Sequence, residues 1–165
     1  GMPFLLGVGT REPRKDWPLA VAGFAEYRRR SGRAVKLVIA GSEGWGGAEH
    51  RQPTGDGVLL AGAVSEAEKW ALYRAAHGYL TTSVYEGYGM PLAEALATGL
   101  PAAATDCGGS SAMPAPGLVR IAARSASAVA DALLALDALE RPCPPPTAPT
   151  WPMAAQELHD ALHHR

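Results

Sequence analysis

The sequence predicts a doubly wound α/β domain on a mostly parallel sheet of about six strands. Three observations carry this. Apolar runs of strand length recur at Phe4 to Gly9, Ala34 to Gly41 and Val58 to Val64. Each is too short for a helix and nearly continuous rather than alternating, the pattern of strands covered on both faces. Between them lie stretches with apolar positions at helical spacing and clear helix-start signals, so strand and helix alternate.

The chain has 165 residues, enough for one domain with a real core. A formal net charge of −1 makes no electrostatic case for nucleic acid. Cys107 and Cys143 lie far apart and outside any C-x-x-C, so neither a disulfide framework nor a zinc site is indicated, and a reducing cytoplasm is the expected compartment. No apolar run approaches the roughly 20 residues of a membrane span. No signal peptide is visible, and Gly1 before Met2 reads as a cloning scar.

Taken in order, the first strand ends in Gly7-Val8-Gly9. This invites a dinucleotide-binding reading, but Glu12 stands where the third glycine belongs, so the signal is weak. Asp16 is an N-cap candidate with Pro18 in the first turn of a helix reaching about Ser31, to which Leu19, Ala22, Phe24 and Tyr27 give an apolar face. Arg14 and Lys15 sit in the loop before it, at the edge of a parallel sheet where ligands collect. Taken alone they read equally well as two solvated cations. Arg11, a third cation in the loop, has no assigned role.

Ala34 to Gly41 is the second strand, followed by a long polar loop to Gly57 containing Gly44-Trp45-Gly46-Gly47. Trp45 could cover a sugar or cap the core. Val58 to Val64 is the third strand, and Ser65 with Glu68 forms a capping box for a helix to about Ala76. Tyr79 to Val84 is the fourth strand, β-branched and aromatic.

The chain is organised around the segment that follows. Glu86, Gly87, Tyr88 and Gly89 make a glycine-rich turn, Pro91 suits a first helical turn, and Gly99 before Pro101 closes a short helix. A helix N-terminus facing a turn of bare amides is suited to an anion, usually phosphate. Glu86 and Glu94 flank it with seven residues between them. Pointing past a phosphate, each could accept hydrogen bonds from hydroxyls. A ligand with a central diphosphate and a hydroxyl-rich ring at each end fits, and a nucleotide-sugar is such a ligand. The plainer alternative is a surface turn with one solvated and one helix-capping glutamate.

Leu100 to Asp106 reads as the fifth strand and Leu118 to Ile121 as a short edge strand. Ser125 or Ser127 caps a helix to about Leu139. Arg141 to Pro149, with five prolines, reads as an extended linker before a final helix from Trp151. His159 and His163 are four apart on it, but no third ligand accompanies them, and no metal site is assigned.

The Glu86–Glu94 segment resembles the signature of retaining glycosyltransferases of family 4, which have the GT-B fold: two glutamates enclosing a G-F/Y-G turn. The Val8 to Lys15 stretch is similar to the family's V-G-T-x-E-P-R-K-N, and Leu60 to Glu68 to its F-L-G-x-V-S-x-E-E-L. The resemblance runs from about Val8 to Asp106. It implies that Arg14 and Lys15 clasp the donor diphosphate, that Glu86 meets a hydroxyl of the transferred sugar, and that Glu94 holds the ribose. It implies donor contacts at Gly87, Tyr88, Gly89 and Met90, close approach at Gly9 and Gly41, and Val64 beside the base. The serine-rich loop after the fifth strand is present as Ser110-Ser111, but the glutamate of the family's L-P-E-V is missing, so no donor contact carries over from it.

The resemblance thus implies one Rossmann-like half of a GT-B enzyme: a nucleotide-sugar-binding domain over residues 1–140, a linker over 141–150 and a C-terminal helix over 151–165. The implied reaction is metal-independent, retaining transfer of a hexosyl group from a nucleotide-diphosphate sugar, with no cofactor. The acceptor-binding N-terminal domain or subunit would be a partner, and the final helix could swap into a homodimer. The full enzyme would be cytoplasmic or peripheral to a membrane. A non-enzymatic nucleotide-sugar-binding module and another GT-B reaction, such as a sugar-nucleotide epimerase or a phosphorylase, are the alternatives; no motif for pyridoxal phosphate or free phosphate accompanies the last.

Overall fold

Continuous apolar strands demand cover on both faces, and the fold supplies it. The computed structural model describes residues 2–108 and 116–143. The sheet contains β1 (Phe4–Val8), β2 (Lys36–Ala40), β3 (Val58–Gly62), β4 (Gly78–Thr81), β5 (Ala102–Thr105) and β6 (Leu118–Ile121). The helices are α1 (Trp17–Ser31), α2 (Ala48–Arg51), α3 (Glu66–Ala75), α4 (Met90–Ala97) and α5 (Ala126–Asp137). The strand order is β3-β2-β1-β4-β5-β6, and every pairing is parallel. The sheet is therefore wholly parallel, where a mostly parallel one was expected. The chain builds outward from β1 to β3, then crosses back to place β4 on the other side of β1. That reversal opens a crevice at the carboxyl ends of β1 and β4.

Side chains alternate across the sheet and feed two cores. Leu5, Leu37, Ile39, Leu80 and Ala103 pack on one face with Phe24 and Tyr27 of α1 and Leu133 and Leu136 of α5. Leu6, Ala40, Tyr79, Ala102 and Ala104 pack on the other with Tyr73 of α3 and Leu92 and Leu96 of α4. Full burial of each large apolar side chain contributes about 1.5–3 kcal/mol. Helices α1 and α5 cross closely at Gly23, where an added Cβ would stand 2.2 Å from a methyl of Val129.

The helix signals work as chemistry. The Asp16 carboxylate accepts from Leu19 N at 3.3 Å, and Ser65 and Glu68 form the reciprocal capping box. Ser125, not Ser127, caps α5 by accepting from Ala128 N at 3.2 Å. Helix α4 ends in a Schellman turn, with Gly99 N on Leu96 O at 3.0 Å and Leu100 N on Ala95 O at 3.1 Å. Because Leu100 closes that turn, β5 begins only at Ala102. Strand β4 stops at Thr81, since the Thr82 hydroxyl is drawn to the backbone after β1 and Val84 N donates to Arg14 O at 2.8 Å. Strand β3 stops at Gly62, whose φ of +73° leaves the pleat and puts Val64 beyond the strand end. The polar loop after β2 contains α2, which its sequence, Ala48-Glu49-His50-Arg51, does not announce by any apolar spacing.

Cys143 is buried, with its N–H on Gly99 O at 3.0 Å, so the first residues of the proline-rich stretch lie against the domain body. The rest of that stretch, the helix expected from Trp151 with His159 and His163, and Ser110-Ser111 lie outside the described residues.

Candidate functional site

The site is built where β1 and β4 end. Gly7 and Gly9 are both required there, but by the chain's own packing. A Cβ on Gly7 would stand 2.7 Å from the Trp17 ring, whose Nε1 donates to Thr10 O at 3.3 Å. A Cβ on Gly9, at φ +151°, would stand 2.5 Å from Lys15 Cε. The G-x-G thus makes room for a tryptophan and a lysine.

After Gly9 the chain takes one 3-10 turn over Pro13–Lys15, which the sequence does not signal, and leaves it through Asp16 in a left-handed conformation, φ +47°. This turn lays Lys15 inward, 6% exposed, and Arg14 outward with its side chain 39% exposed. Both reach Glu86. Lys15 Nζ lies 2.6 Å from Glu86 Oε1, and Arg14 Nη1 lies 2.9 Å from Oε2. The Ser83 hydroxyl donates to Oε1 at 2.7 Å, and Arg14 also pairs with Glu12 at 2.6 Å. Burial pushes the Glu86 carboxyl up, but the hydrogen bonds from Lys15 and Ser83 and the charges of Lys15 and Arg14 outweigh it and hold the group below the ordinary range. Glu86 is an ionised acceptor in a nest of donors.

Glu94 stands one turn into α4 and faces α3. Its Oε1 pairs with Lys69 Nζ at 3.1 Å, and its Oε2 accepts from the Tyr73 hydroxyl at 3.0 Å. Neither partner was anticipated from the sequence. Both follow from α3 and α4 sharing one face of the sheet, and the helical interval between Lys69 and Tyr73 is the signal that could have found them.

Between the carboxylates lies the turn itself. Gly89 is buried with φ +82° and heads α4 without a side-chain cap, while Tyr85, Tyr88 and Met90 are more than half exposed around it. Gly87 differs from the expectation that both turn glycines serve a tight bend: its φ is not positive, and a Cβ there meets nothing within 4 Å. Beneath the turn is a small crevice lined by Lys15, Thr81, Glu86, Gly89, Leu92 and Cys107. Gly108 lies over the Glu86 backbone, where a Cβ would stand 1.9 Å from its carbonyl.

On the β2 side, Gly41 is needed because a Cβ would stand 2.0 Å from Gly9 O. Arg11, given no role by the sequence, is buried and donates to Gly41 O at 2.8 Å and Arg51 O at 2.6 Å, tying the loops after β1 and β2 together. Trp45 is 66% exposed, so it does not cap the core. Val64 packs partly against the Leu6 and Tyr73 core.

A wider cleft lies at the opposite end of the sheet, beside Arg28, Arg29, Arg33 and Asp56. Each of these arginines is held by a carboxylate: Asp56, Glu26 and Asp137 respectively. It gathers no chemistry comparable to the β1–β4 crevice. Among the described residues no group of three or more His, Cys, Asp or Glu converges to hold a metal, and no helix is long and apolar enough to cross a membrane.

A parallel 3-2-1-4-5-6 sheet with cations and carboxylates gathered at its switch point defines a Rossmann-like α/β domain. The family model for glycosyl transferases group 1 matches residues 3–138, and the chain belongs to that family. It is 28% identical over 103 residues to the O-antigen chain mannosyltransferase B of Escherichia coli, covering 59% of this chain and 27% of that protein. Among solved structures it resembles the sucrose-phosphate synthase of Thermosynechococcus elongatus, with a TM-score of 0.70, 27% identity, and coverage of 86% of this chain and 37% of that one. The N-terminal domain of Candida albicans trehalose-6-phosphate phosphatase has the same fold, with a TM-score of 0.70 at 16% identity over 86% of this chain and 35% of that one. The fold is that of one half of a GT-B glycosyltransferase. The chain spans about a quarter of the curated relative and about a third of these structural neighbours.

Proposed function

We propose that this chain is the donor-binding domain of a retaining, metal-independent glycosyltransferase that moves a hexosyl group from a nucleotide-diphosphate sugar to an acceptor. The observation that carries the reading is the convergence of Arg14, Lys15 and Glu86 beside the N-terminus of α4, with Glu94 one turn further on. The family and the mannosyltransferase relative support the hexosyl part.

In this reading the diphosphate lies across the uncapped start of α4, against the amides of Gly89 and Met90. Arg14, the exposed cation, meets it first, and Lys15 turns from Glu86 to share it. As the bond between the anomeric carbon and the phosphate oxygen breaks, these two cations and the helix dipole neutralise the departing diphosphate, without need of a divalent ion. Glu86 accepts from a hydroxyl of the transferred sugar and Glu94 from the ribose hydroxyls. Tyr88 and Gly87 flank the sugar, and Val64 lies beside the base. The acceptor oxygen attacks the face the diphosphate leaves, so configuration is retained, and its proton passes to the departing diphosphate oxygen. Acceptor contacts come from a second domain or subunit outside these residues.

The test is a thermal-shift panel of uridine, guanosine and adenosine diphosphate-sugars, with and without EDTA. One base class is expected to raise Tm, equally in EDTA. No shift with any donor contradicts donor binding, and a shift abolished by EDTA contradicts metal independence.

A further inference from the structure

Arg124 stands at the junction of β6 and α5, just before the Ser125 cap, and no sequence signal marks it. Its guanidinium donates to three acceptors from two other segments. Nη1 donates to Ser83 O at 3.1 Å, and Nη2 to Thr82 O at 3.1 Å and to the Asp16 carboxylate. These are the residues next to the chemistry. Asp16 follows Lys15, and Thr82 and Ser83 lie between β4 and Glu86. Asp16 is also the one non-glycine residue with positive φ among those described, a conformation that persists only where its surroundings over-determine it. The surroundings here are the Arg124 contact, the α1 cap on Leu19 N, and the Thr82 hydroxyl, which donates to Lys15 O at 3.1 Å and Asp16 O at 2.9 Å. Thr105 adds a bond to Ser83 O at 2.7 Å. The planar five-donor fork of arginine suits such a junction, and a lysine ammonium does not reproduce it.

We propose that Arg124 is a positioning residue of this site: it ties the left-handed turn at Asp16 to the exit of β4 and so holds Lys15 in register with Glu86. It touches no ligand and acts through the two segments it joins. The ligand consequence rests on the proposed donor-binding reading; the register of the ion pair does not.

The test compares wild type with Arg124→Lys, which keeps the charge and loses the fork, and with Asp16→Asn, which keeps a capping oxygen and loses the carboxylate. Two quantities are read at a temperature where circular dichroism shows every variant folded. One is the Glu86 titration midpoint by carboxyl 13C NMR; the other is affinity for a nucleoside diphosphate against the bare nucleoside. Both variants are expected to raise the Glu86 midpoint and to lower diphosphate affinity about tenfold, with nucleoside affinity unchanged. A wild-type Glu86 midpoint in folded Arg124→Lys overturns the proposal. If wild type binds no nucleoside diphosphate, the donor-binding reading fails while the Glu86 midpoint still decides the role of Arg124.

Discussion

Lys15 Nζ lies 2.6 Å from Glu86 Oε1, an ion pair between residues 71 positions apart with side chains 6% and 12% exposed. The glycine at the end of β1 leaves room for the lysine, and the serine after β4 orients the glutamate. Neither charge is free, so in the proposed reading a diphosphate would compete with Glu86 for Lys15. The pair therefore links the strand ends of the fold to the candidate site.

Acid should weaken the domain through this pair. The Glu86 carboxyl is held below its ordinary value of 4.5: burial opposes ionisation, but Lys15, Ser83 and Arg14 outweigh it. Asp137 is held below its ordinary 3.8: burial again opposes, and hydrogen bonds from Tyr27, His77 and Arg33 win. A carboxylate depressed on folding stabilises fully above its unfolded value and loses that contribution as pH falls through its folded one. Urea midpoints should be level from neutrality to about pH 5 and fall below about pH 4. Replacing Lys15 with methionine should shrink the part of this slope due to Glu86, and an unchanged slope contradicts the pairing.

Gly9→Ala should damage the site more than the fold. The added Cβ meets the flexible Lys15 side chain at 2.5 Å rather than backbone, although the φ of +151° adds strain. A stability loss of about 1–3 kcal/mol is expected, with a raised Glu86 midpoint as Lys15 is displaced. Gly41→Ala drives its Cβ into Gly9 O at 2.0 Å, backbone against backbone, and should cost more. Chemical denaturation of both variants ranks them, and the reverse order contradicts the account.

Glu94→Ala should remove most nucleotide affinity. Losing a charge-assisted hydrogen-bond pair costs about 1.5–3 kcal/mol, roughly ten- to a hundred-fold. Because Glu94 also engages Lys69 and Tyr73, Lys69→Met is the control: it removes the structural partner and keeps the carboxylate. Calorimetry should show a large loss in the first variant and a small one in the second. Equal losses mean that Glu94 serves the α3–α4 contact.

The layered fold was legible because its signals are local. Apolar runs marked the strands, and Asp16, Ser65 with Glu68, and Gly99 marked helix ends where the backbone groups are in fact capped, while the cap of α5 was narrowed only to Ser125 or Ser127. Strand ends were less legible, since tertiary bonds decide them: Thr82 leaves β4 for the carbonyls of Lys15 and Asp16. At the candidate site, type, spacing and the family resemblance singled out the cations and the glutamates, but not their pairing. A sequence does not show that Lys15 meets Glu86, that Glu94 meets Lys69, or that Arg11 and Arg124 act on carbonyls. Backbone acceptors carry no residue identity, so only the fold reveals them. The G-x-G at Gly7 and Gly9 is a weak signal for a related reason: glycines make room for side chains as readily as for a phosphate.

Arg14 and Lys15 should matter for diphosphate and little for a bare nucleoside. In the Arg14→Ala, Lys15→Ala double variant, the affinity advantage of diphosphate over nucleoside should collapse. Retention of that advantage leaves Arg14 and Lys15 with structural partners only.

A nucleoside diphosphate should seat in the crevice between the ends of β1 and β4. Backbone 1H–15N NMR during titration of the folded chain with uridine, guanosine and adenosine diphosphates tests it most directly. Saturable shifts are expected at Gly9, Lys15, Glu86, Gly89 and Met90 with one of them, and none at Arg33 or Asp137 at the far end of the sheet. Saturation with shifts confined to the far end, or no saturable shifts with any of the three, contradicts it.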